Sequence, residues 1–298
     1  MADKNTGTGH GEIDAHSGQT TTGHEWDGIK ELNTPLPRWW LLTLYATIIW
    51  SIGYWVVYPA WPLITSNTTG VIGYSSRANV IADVAAANAA KAGNNAKLAA
   101  ASFADLSKTP ELLTFTLAQG KAAFGNNCAP CHGAGGGGGK GYPNLNDDDW
   151  LWGGKLEDIE MTLQHGIRVS NDDQTRVSQM PAFGRDGILK PAEISTTADY
   201  VRSLSGLPVE KGADLAAGAK IFAENCAACH GENAKGNPEL GAPNLTDAIW
   251  LYGSDKAVIE QTLTNGRGGV MPAWGKRLAP ETVKALAVYV YSLGGGRK

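Results

Sequence analysis

The pentapeptide Cys-x-x-Cys-His occurs twice, as "CAPCH" from Cys128 to His132 and as "CAACH" from Cys226 to His230. A Cys-x-x-Cys pair places two sulfur atoms on one side of a helical turn. There they can form a redox disulfide, half of a zinc site, or two thioether bonds to a haem. All four cysteines of the 298-residue chain lie in these two motifs, so the chemistry of the chain is concentrated at two matching points.

The histidine after the second cysteine decides between these chemistries. Its ring can bind the iron of a porphyrin held by the two thioethers, and the motif is therefore typical of a c-type haem site. The sequence lacks the alternating strand pattern that accompanies a thioredoxin-like site. A four-cysteine zinc site would have to combine two cysteine pairs in which Cys131 and Cys226 are separated by 95 positions and a complete repeat. The sequence predicts two covalently bound haem c groups, attached at Cys128, Cys131, Cys226 and Cys229.

A second iron ligand is expected from two methionines at matching places, in "QMPAFGR" and "VMPAWGK". Because proline disfavours a helix at the preceding residue, Met180 and Met271 should each lie in an extended loop that can present the thioether sulfur to a haem. The predicted metal ligands are therefore His132, Met180, His230 and Met271. We expect each methionine to serve the haem of its own repeat, although tandem domains can also exchange ligands.

Other side chains are candidates for supporting roles. His165 is a competing iron ligand, but the second repeat has Asn265 at that position. The carbonyl groups of Pro143 and Pro243, in the two "PNL" segments, are expected to accept a hydrogen bond from the ring nitrogens of the motif histidines.

Four further side chains and one loop have open interpretations. Trp150, Trp250, Arg168 and Arg267 are candidates for holding haem propionates, with core packing of the tryptophans and solvation of the arginines as alternatives. The glycine run 135–139 lacks the first glycine and the Ser or Thr of a phosphate-binding loop, and it predicts a flexible loop.

The segments around the two motifs repeat each other, for example "YPNLNDDDWLWGG" and "APNLTDAIWLYGS". Within each repeat, short apolar-periodic segments closed by glycine or opened by proline predict helices. We expect an all-α fold with two tandem domains, residues 112–205 and 212–298. Their helices are sparse, so a large apolar group is needed to fill each core.

A membrane anchor precedes the repeats. No charged residue lies between Arg38 and Arg77, and the 20 mainly apolar residues from Trp39 to Tyr58 would make a helix of roughly 30 Å. The sequence predicts an anchor at 39–62, since a cleaved signal would have a shorter apolar core nearer the start. Lys30 and Arg38 favour a cytoplasmic location for the tail 1–38.

The tail and the segment after the anchor carry little chemistry. His10, His16 and His24 are irregularly spaced among glycine and threonine, so a disordered solvated tail is favoured over a metal site. Residues 63–111 are rich in alanine and predict a connector with little core of its own. The net charge of −4, with no basic patch, argues against nucleic acid as a partner.

The order of these features resembles the dihaem subunit III of cbb3-type cytochrome c oxidases. The resemblance covers nearly the whole chain, including "TPLPRWW" before the anchor, "CAPCH", "MPAFG", "CAACH" and "MPAWG". It implies two class I-like cytochrome c domains on the periplasmic side of a bacterial inner membrane. It also implies an electron relay, not catalytic alone, from a cytochrome c or bc1-type donor to a catalytic subunit that reduces oxygen and pumps protons, with a monohaem subunit as a further partner.

Three other functions are compatible with parts of the sequence. A dihaem peroxidase would need an open iron position, which two equivalent Met-Pro ligands disfavour. A membrane-anchored dihaem cytochrome serving another dehydrogenase or reductase would have the same chemistry and a different partner. A purely structural anchor would not need complete haem motifs in both repeats.

Overall fold

The computed structural model describes residues 11–295, which form two compact units divided between Ala86 and Ala87. His10 lies outside the described residues. The strands are β1 Thr21–Trp26 and β2 Ile29–Leu32. The helices are α1 Arg38–Val57, α2 Ser76–Ala100, α3 Phe103–Leu106, α4 Pro110–Asn127, α5 Ala129–His132, α6 Leu156–His165, α7 Pro191–Leu204, α8 Leu215–Asn225, α9 Ala227–His230, α10 Lys256–Asn265 and α11 Pro280–Ser292.

The first unit opens with a β-hairpin. β1 and β2 pair antiparallel, with Trp26 opposite Ile29. Asp27 and Gly28 have φ values of 48° and 83°, the left-handed conformation that a two-residue hairpin turn requires and that an Asp-Gly pair favours. The prediction of a disordered tail is therefore wrong for this segment. The all-α prediction is confirmed for the mostly helical chain, in which this sheet is a minor element.

Helix α1 matches the predicted anchor. It begins after Pro37 and ends at Tyr58, whose backbone is extended, and none of its side chains is buried. Within residues 11–295 it is the one helix that is long and apolar enough to cross a membrane. A helix that is apolar all round and has no buried side chain is suited to lipid.

The second unit begins within α2, and part of the predicted connector lies in its core. Leu98 and Leu106 are fully buried together with Ala285 and Val288 of α11. The Nζ atom of Lys284 donates to three carbonyl oxygens at the end of α2, at 2.9 to 3.4 Å. This ammonium group compensates the negative C-terminal end of the helix.

The helix limits in the repeats confirm the predicted local signals. α6 and α10 end at Gly166 and Gly266, which have φ values of 65° and 69°. α7 and α11 each have proline, Pro191 and Pro280, at the first helical position. Glycine with positive φ after a helix and proline at its start mark these ends, because other residues are strained at that φ and proline cannot donate within a helix.

The long helices pack across the two repeats. α4 of the first repeat packs against α11 of the second, and α8 of the second packs against α7 of the first. Both contacts need a glycine, because a Cβ atom on Gly120 would lie 2.6 Å from the Cβ of Tyr289, and one on Gly218 would lie 2.6 Å from the Cβ of Tyr200. The backbones thus approach closely at two equivalent crossings.

Two packed groups result. The first packed group consists of α4, α5, α6 and α11, and the second packed group consists of α8, α9, α10 and α7. Phe124 and Leu286 are buried in the first, and Phe222 and Val201 in the second. The last helix of each repeat therefore completes the core of the other repeat. The two expected domains, residues 112–205 and 212–298, therefore do not each form a core from their own helices alone.

Candidate haem sites

Both Cys-x-x-Cys-His motifs lie on a short helix that follows directly on a longer one. Cys128 is both the C-cap of α4 and the N-cap of α5, and Cys226 stands in the same way between α8 and α9. Cys128 and Cys226 are each 7% exposed, whereas Cys131 and Cys229 are exposed. One sulfur of each pair thus faces the core and the other lies at its edge.

The buried thiols are unsuited to thiolate chemistry. Burial raises the pKa of Cys128 and of Cys226 to about 11, so both are protonated at neutral pH. Attack on a disulfide requires a thiolate, so neither buried thiol is poised for redox exchange. In addition, residues 11–295 contain no cluster of three His, Cys, Asp or Glu side chains placed for a metal ion. Thioether formation removes the ionisable proton and fits the buried position.

The motif histidines are oriented by backbone carbonyl groups, as predicted. The Nδ1 atom of His132 lies 3.0 Å from the carbonyl oxygen of Pro143, and that of His230 lies 3.0 Å from the carbonyl oxygen of Pro243. A carbonyl oxygen can only accept, so each Nδ1 donates and each Nε2 keeps its lone pair for a metal. Burial lowers the pKa of His230, which favours the neutral ring that ligation requires.

Two glycines bring these carbonyl groups into position, and sequence reasoning missed their role. A Cβ on Gly138 would lie 2.6 Å from the carbonyl oxygen of Tyr142, and one on Gly236 would lie 2.5 Å from that of Ala242. Both have positive φ, 67° and 83°. The glycine run is therefore a shaped support for the Pro143 segment and not simply a flexible loop.

The methionines lie in the site of the other repeat. One cavity is lined by Cys128 and His132 of the first repeat together with Met271 of the second. Met180 of the first repeat packs against the core that contains Cys226. The expectation that each methionine serves its own repeat is therefore wrong in these contacts. The reason is the exchange of the last helices, since each methionine loop leads into the exchanged helix.

Backbone hydrogen bonds hold the exchanged loops. The amide of Ile167 donates to the carbonyl of Met271 at 2.9 Å, and the amide of Met271 donates back at 3.1 Å. The amide of Trp274 also donates to the carbonyl of Leu163, at the end of α6. Gly166 permits this approach, because a Cβ there would lie 2.4 Å from the carbonyl oxygen of Met271.

His165 is engaged outside the first cavity. Its Nδ1 atom lies 3.0 Å from Oδ1 of Asp172, in a loop that the second repeat lacks: Met180 follows Gly166 by 14 residues, and Met271 follows Gly266 by 5, a difference of nine. His165 does not line the cavity that contains His132 and Met271.

Because of this extra loop, the arginine that is structurally equivalent to Arg267 lies further along the first repeat. Nε of Arg176 donates to Oγ1 of Thr162 at 3.1 Å, and Nε of Arg267 donates to Oγ1 of Thr262 at 3.0 Å. Both guanidinium groups stack on an aromatic ring. Arg168, the arginine candidate of the first repeat, instead donates to the backbone carbonyls of Gly269 and Ser178. Arg176 is thus the structural equivalent, and the shared Arg-Thr pairing was not visible in the aligned motifs.

Trp150 and Trp250 differ in the hydrogen bonding of their indole nitrogens. Nε1 of Trp150 donates to the carbonyl of Asp147 at 3.0 Å. Nε1 of Trp250 is buried and has no partner among the described residues, although it borders the core containing Cys226 and Met180. A buried indole donor normally has an acceptor, and a haem carboxylate would supply one.

The donor sets fit a haem in both packed groups. Each combines two cysteine sulfurs, one carbonyl-oriented imidazole and one methionine with a predominantly apolar lining. The residues that line the first cavity are Phe124, Cys128, His132, Pro143, Asn144, Leu145, Asp149, Trp150, Leu151, Trp152, Gly153, Ile159, Thr162, Leu163, Ile167, Met271 and Val290.

Comparison with known protein families divides the chain into three matched segments. Residues 18–65 match the N-terminal domain of cytochrome oxidase-cbb3, FixP. Residues 117–205 match cytochrome c, and residues 213–290 match cytochrome c oxidase, cbb3-type, subunit III. The two cytochrome c segments, each with its Cys-x-x-Cys-His motif, carry two covalently bound haem c groups.

Three relatives illustrate the extent of the similarity. The cbb3-type cytochrome c oxidase subunit FixP of Bradyrhizobium sp. (strain ORS 278) is 66% identical over 97% of this chain and 99% of its own length. FixP of Bradyrhizobium diazoefficiens is 63% identical over 97% and 100%. The subunit CcoP of Cereibacter sphaeroides is 51% identical over 93% and 95%. With its N-terminal anchor helix and two haem c segments, the chain belongs to the FixP/CcoP family, the electron-transfer subunits of cbb3-type cytochrome c oxidase.

Proposed function

We propose that the two haems have crossed methionine ligation. His132 and Met271 bind the iron of the haem attached to Cys128 and Cys131. His230 and Met180 bind the iron of the haem attached to Cys226 and Cys229. The observation that carries this proposal is the cavity lined jointly by Cys128, His132 and Met271.

When bound, the haem groups supply the one-electron ferric/ferrous couple of the relay. The chain's own residues set the conditions for it. The Pro143 and Pro243 carbonyls fix the imidazole rings, and the apolar linings restrict water. A thioether ligand in an apolar site favours reduced iron and a high potential, as suits a relay towards oxygen.

Charged side chains beside the cavities support a role in holding propionates. Arg176 and Arg267 are proposed as the cationic partners, and Nε1 of Trp250 as a neutral donor. Arg185 offers a control, because its exposed guanidinium lies beside Asp186 at the surface. Arg176→Gln should lower the potential of one haem by removing a nearby positive charge, whereas Arg185→Gln should change it little.

The orientation and the partners follow from the anchor. The proposal places residues 1–38 in the cytoplasm and the haem domains in the periplasm of a bacterial inner membrane, with a cytochrome c or bc1-type donor. The catalytic and monohaem subunits of the oxidase are the proposed partners within the complex. Lys30 and Arg38 lie near the start of α1 and the next basic residue is Arg77, which supports this orientation.

Protease accessibility and activity test the proposal. Protease added outside spheroplasts should remove the haem-stained domains and spare the tail. Complex depleted of this chain should lose oxidase activity with external cytochrome c and keep oxygen reduction with small artificial donors. Protected haem domains would overturn the orientation. Copurification with a dehydrogenase and no oxidase subunit would overturn the partnership.

A further inference from the structure

The N-terminal segment 11–32, which we term the acidic hairpin, is folded without an apolar core. Ile13, Trp26 and Ile29 are 66%, 69% and 74% exposed. Within residues 11–37, Thr21 is the one buried side chain. A two-stranded hairpin is at best marginally stable alone in water. Its ordered backbone together with its exposed apolar side chains indicates that it packs against another molecule.

The exposed apolar pair has a defined face. Trp26 and Ile29 are directly opposite across the strands, so their side chains project on the same side of the hairpin. His24 and Glu31 lie on this side as well, with 3.7 Å between Nδ1 and the carboxylate oxygen. An aromatic anchor surrounded by polar groups is the usual anatomy of a protein interface.

The charge of the acidic hairpin selects the kind of partner. It carries the carboxylates Glu12, Asp14, Glu25, Asp27 and Glu31 and the single ammonium group of Lys30. The cytoplasmic surface of a bilayer is anionic and would repel it. The cytoplasmic loops of membrane proteins are rich in Lys and Arg and would attract it.

We propose that the acidic hairpin docks through Trp26 and Ile29 on a Lys/Arg-rich cytoplasmic loop surface of another membrane subunit of the oxidase. This inference rests on the proposed orientation of the chain. Only residues 33–37 separate β2 from α1, so the hairpin cannot lie more than about 20 Å from the start of the anchor. A partner at that distance is one that packs beside the anchor in the membrane.

Photo-cross-linking in intact membranes tests the contact directly. Trp26→p-benzoylphenylalanine should give, on irradiation, a covalent adduct with a membrane subunit of the oxidase, mapped by mass spectrometry to a cytoplasmic loop. The same amino acid at Ile64, an exposed apolar position beyond the anchor, is the control and should give no adduct with that loop. Lipid adducts alone, or no adduct at position 26, would overturn the proposal.

A variant that removes both apolar side chains of the hairpin face provides the second measurement. Trp26→Ala combined with Ile29→Ala should lower the retention of the chain on the solubilised complex at least about threefold, whereas Ile64→Ala should leave it unchanged. Unchanged retention in the double variant would also overturn the docking. Haem staining and protease accessibility of the same membranes distinguish a failure of the docking proposal from a failure of the proposed orientation. A wild-type protease pattern leaves the proposed orientation intact, and an inverted pattern contradicts the orientation itself.

Discussion

The backbone amide of Met180 donates to the carbonyl of Arg267 at 3.0 Å, and the amide of Arg267 donates back to the carbonyl of Met180 at 3.2 Å. Met271, four residues after Arg267, makes the equivalent reciprocal pair with Ile167. The loop 267–271 therefore holds one methionine by its first residue and contains the other as its last. The two proposed distal ligands share one junction, so a disturbance on one side is expected to reach both sites.

Crossed ligation predicts which haem responds to each methionine. Met271→His should lower the potential of the haem attached to Cys128 and Cys131, because imidazole stabilises ferric iron better than a thioether does. In a chain that also carries Cys226→Ser and Cys229→Ser, only that haem remains. Redox titration of this single-haem protein should then show the shift.

The matched variant is Met180→His in the same single-haem background. It should leave the remaining potential close to that of the parent. A shift caused by Met180→His and none caused by Met271→His would contradict crossed ligation and indicate that each methionine binds the haem of its own repeat.

Gly166 should be intolerant of a side chain. Alanine there would place a Cβ 2.4 Å from the carbonyl oxygen of Met271 and would be strained at a φ of 65°. The strain alone costs about 1–3 kcal/mol, and the clash displaces the methionine loop. We expect the charge-transfer absorption of methionine-ligated ferric haem to be weakened. Gly125→Ala is the control, because a Cβ at that position meets no atom within 4 Å.

The two repeats should not fold as separate domains. A fragment ending at residue 206 would retain α4 but lose α11, which packs over Phe124 and supplies Leu286 to the first packed group. We expect this fragment to lack a cooperative unfolding transition, whereas the complete second unit unfolds both haem sites together. Calorimetry and circular dichroism provide the measurement. Independent cooperative unfolding of the fragment would argue for ordinary, unexchanged domains.

Asp149 should make stability depend on pH. Burial, reinforced by Asp247 and Asp147, raises its pKa from 3.8 to about 6. The folded state therefore binds this proton more tightly than the unfolded state does, and the contribution of Asp149 to the free energy of unfolding falls as the pH rises from about 4 to about 6. Relative to wild type, Asp149→Asn should have a higher melting temperature near pH 7 and a similar one near pH 4.

Exposed Asp173 supplies the control for that measurement. Asp173→Asn should track wild type across the same pH range. An equal response of both variants would show that Asp149 is not the group responsible.

Local chemistry alone determined much of this protein. The haem attachment sites, the anchor and the helix ends at Gly166 and Pro191 were predictable, because each depends on a few neighbouring residues. The carbonyl partner of His132 was also predictable, since the motif and its "PNL" segment recur together. The Asp27-Gly28 pair is also a hairpin-turn signal in the sequence. The polar residues around it favoured the prediction of a disordered tail instead.

Only the tertiary structure shows which haem motif each methionine lies beside. Both repeats present the same glycine on the first helix, at Gly120 and Gly218, and the same Met-Pro-Ala-aromatic-Gly loop. The sequence pattern of each last helix suits the first helix of either repeat. An arrangement in which it packs within its own repeat and one in which it packs on the other repeat therefore make nearly the same local contacts. Their difference lies in the path of the connecting chain and in the reciprocal hydrogen bonds of the two loops. These are long-range relationships that no window of sequence contains.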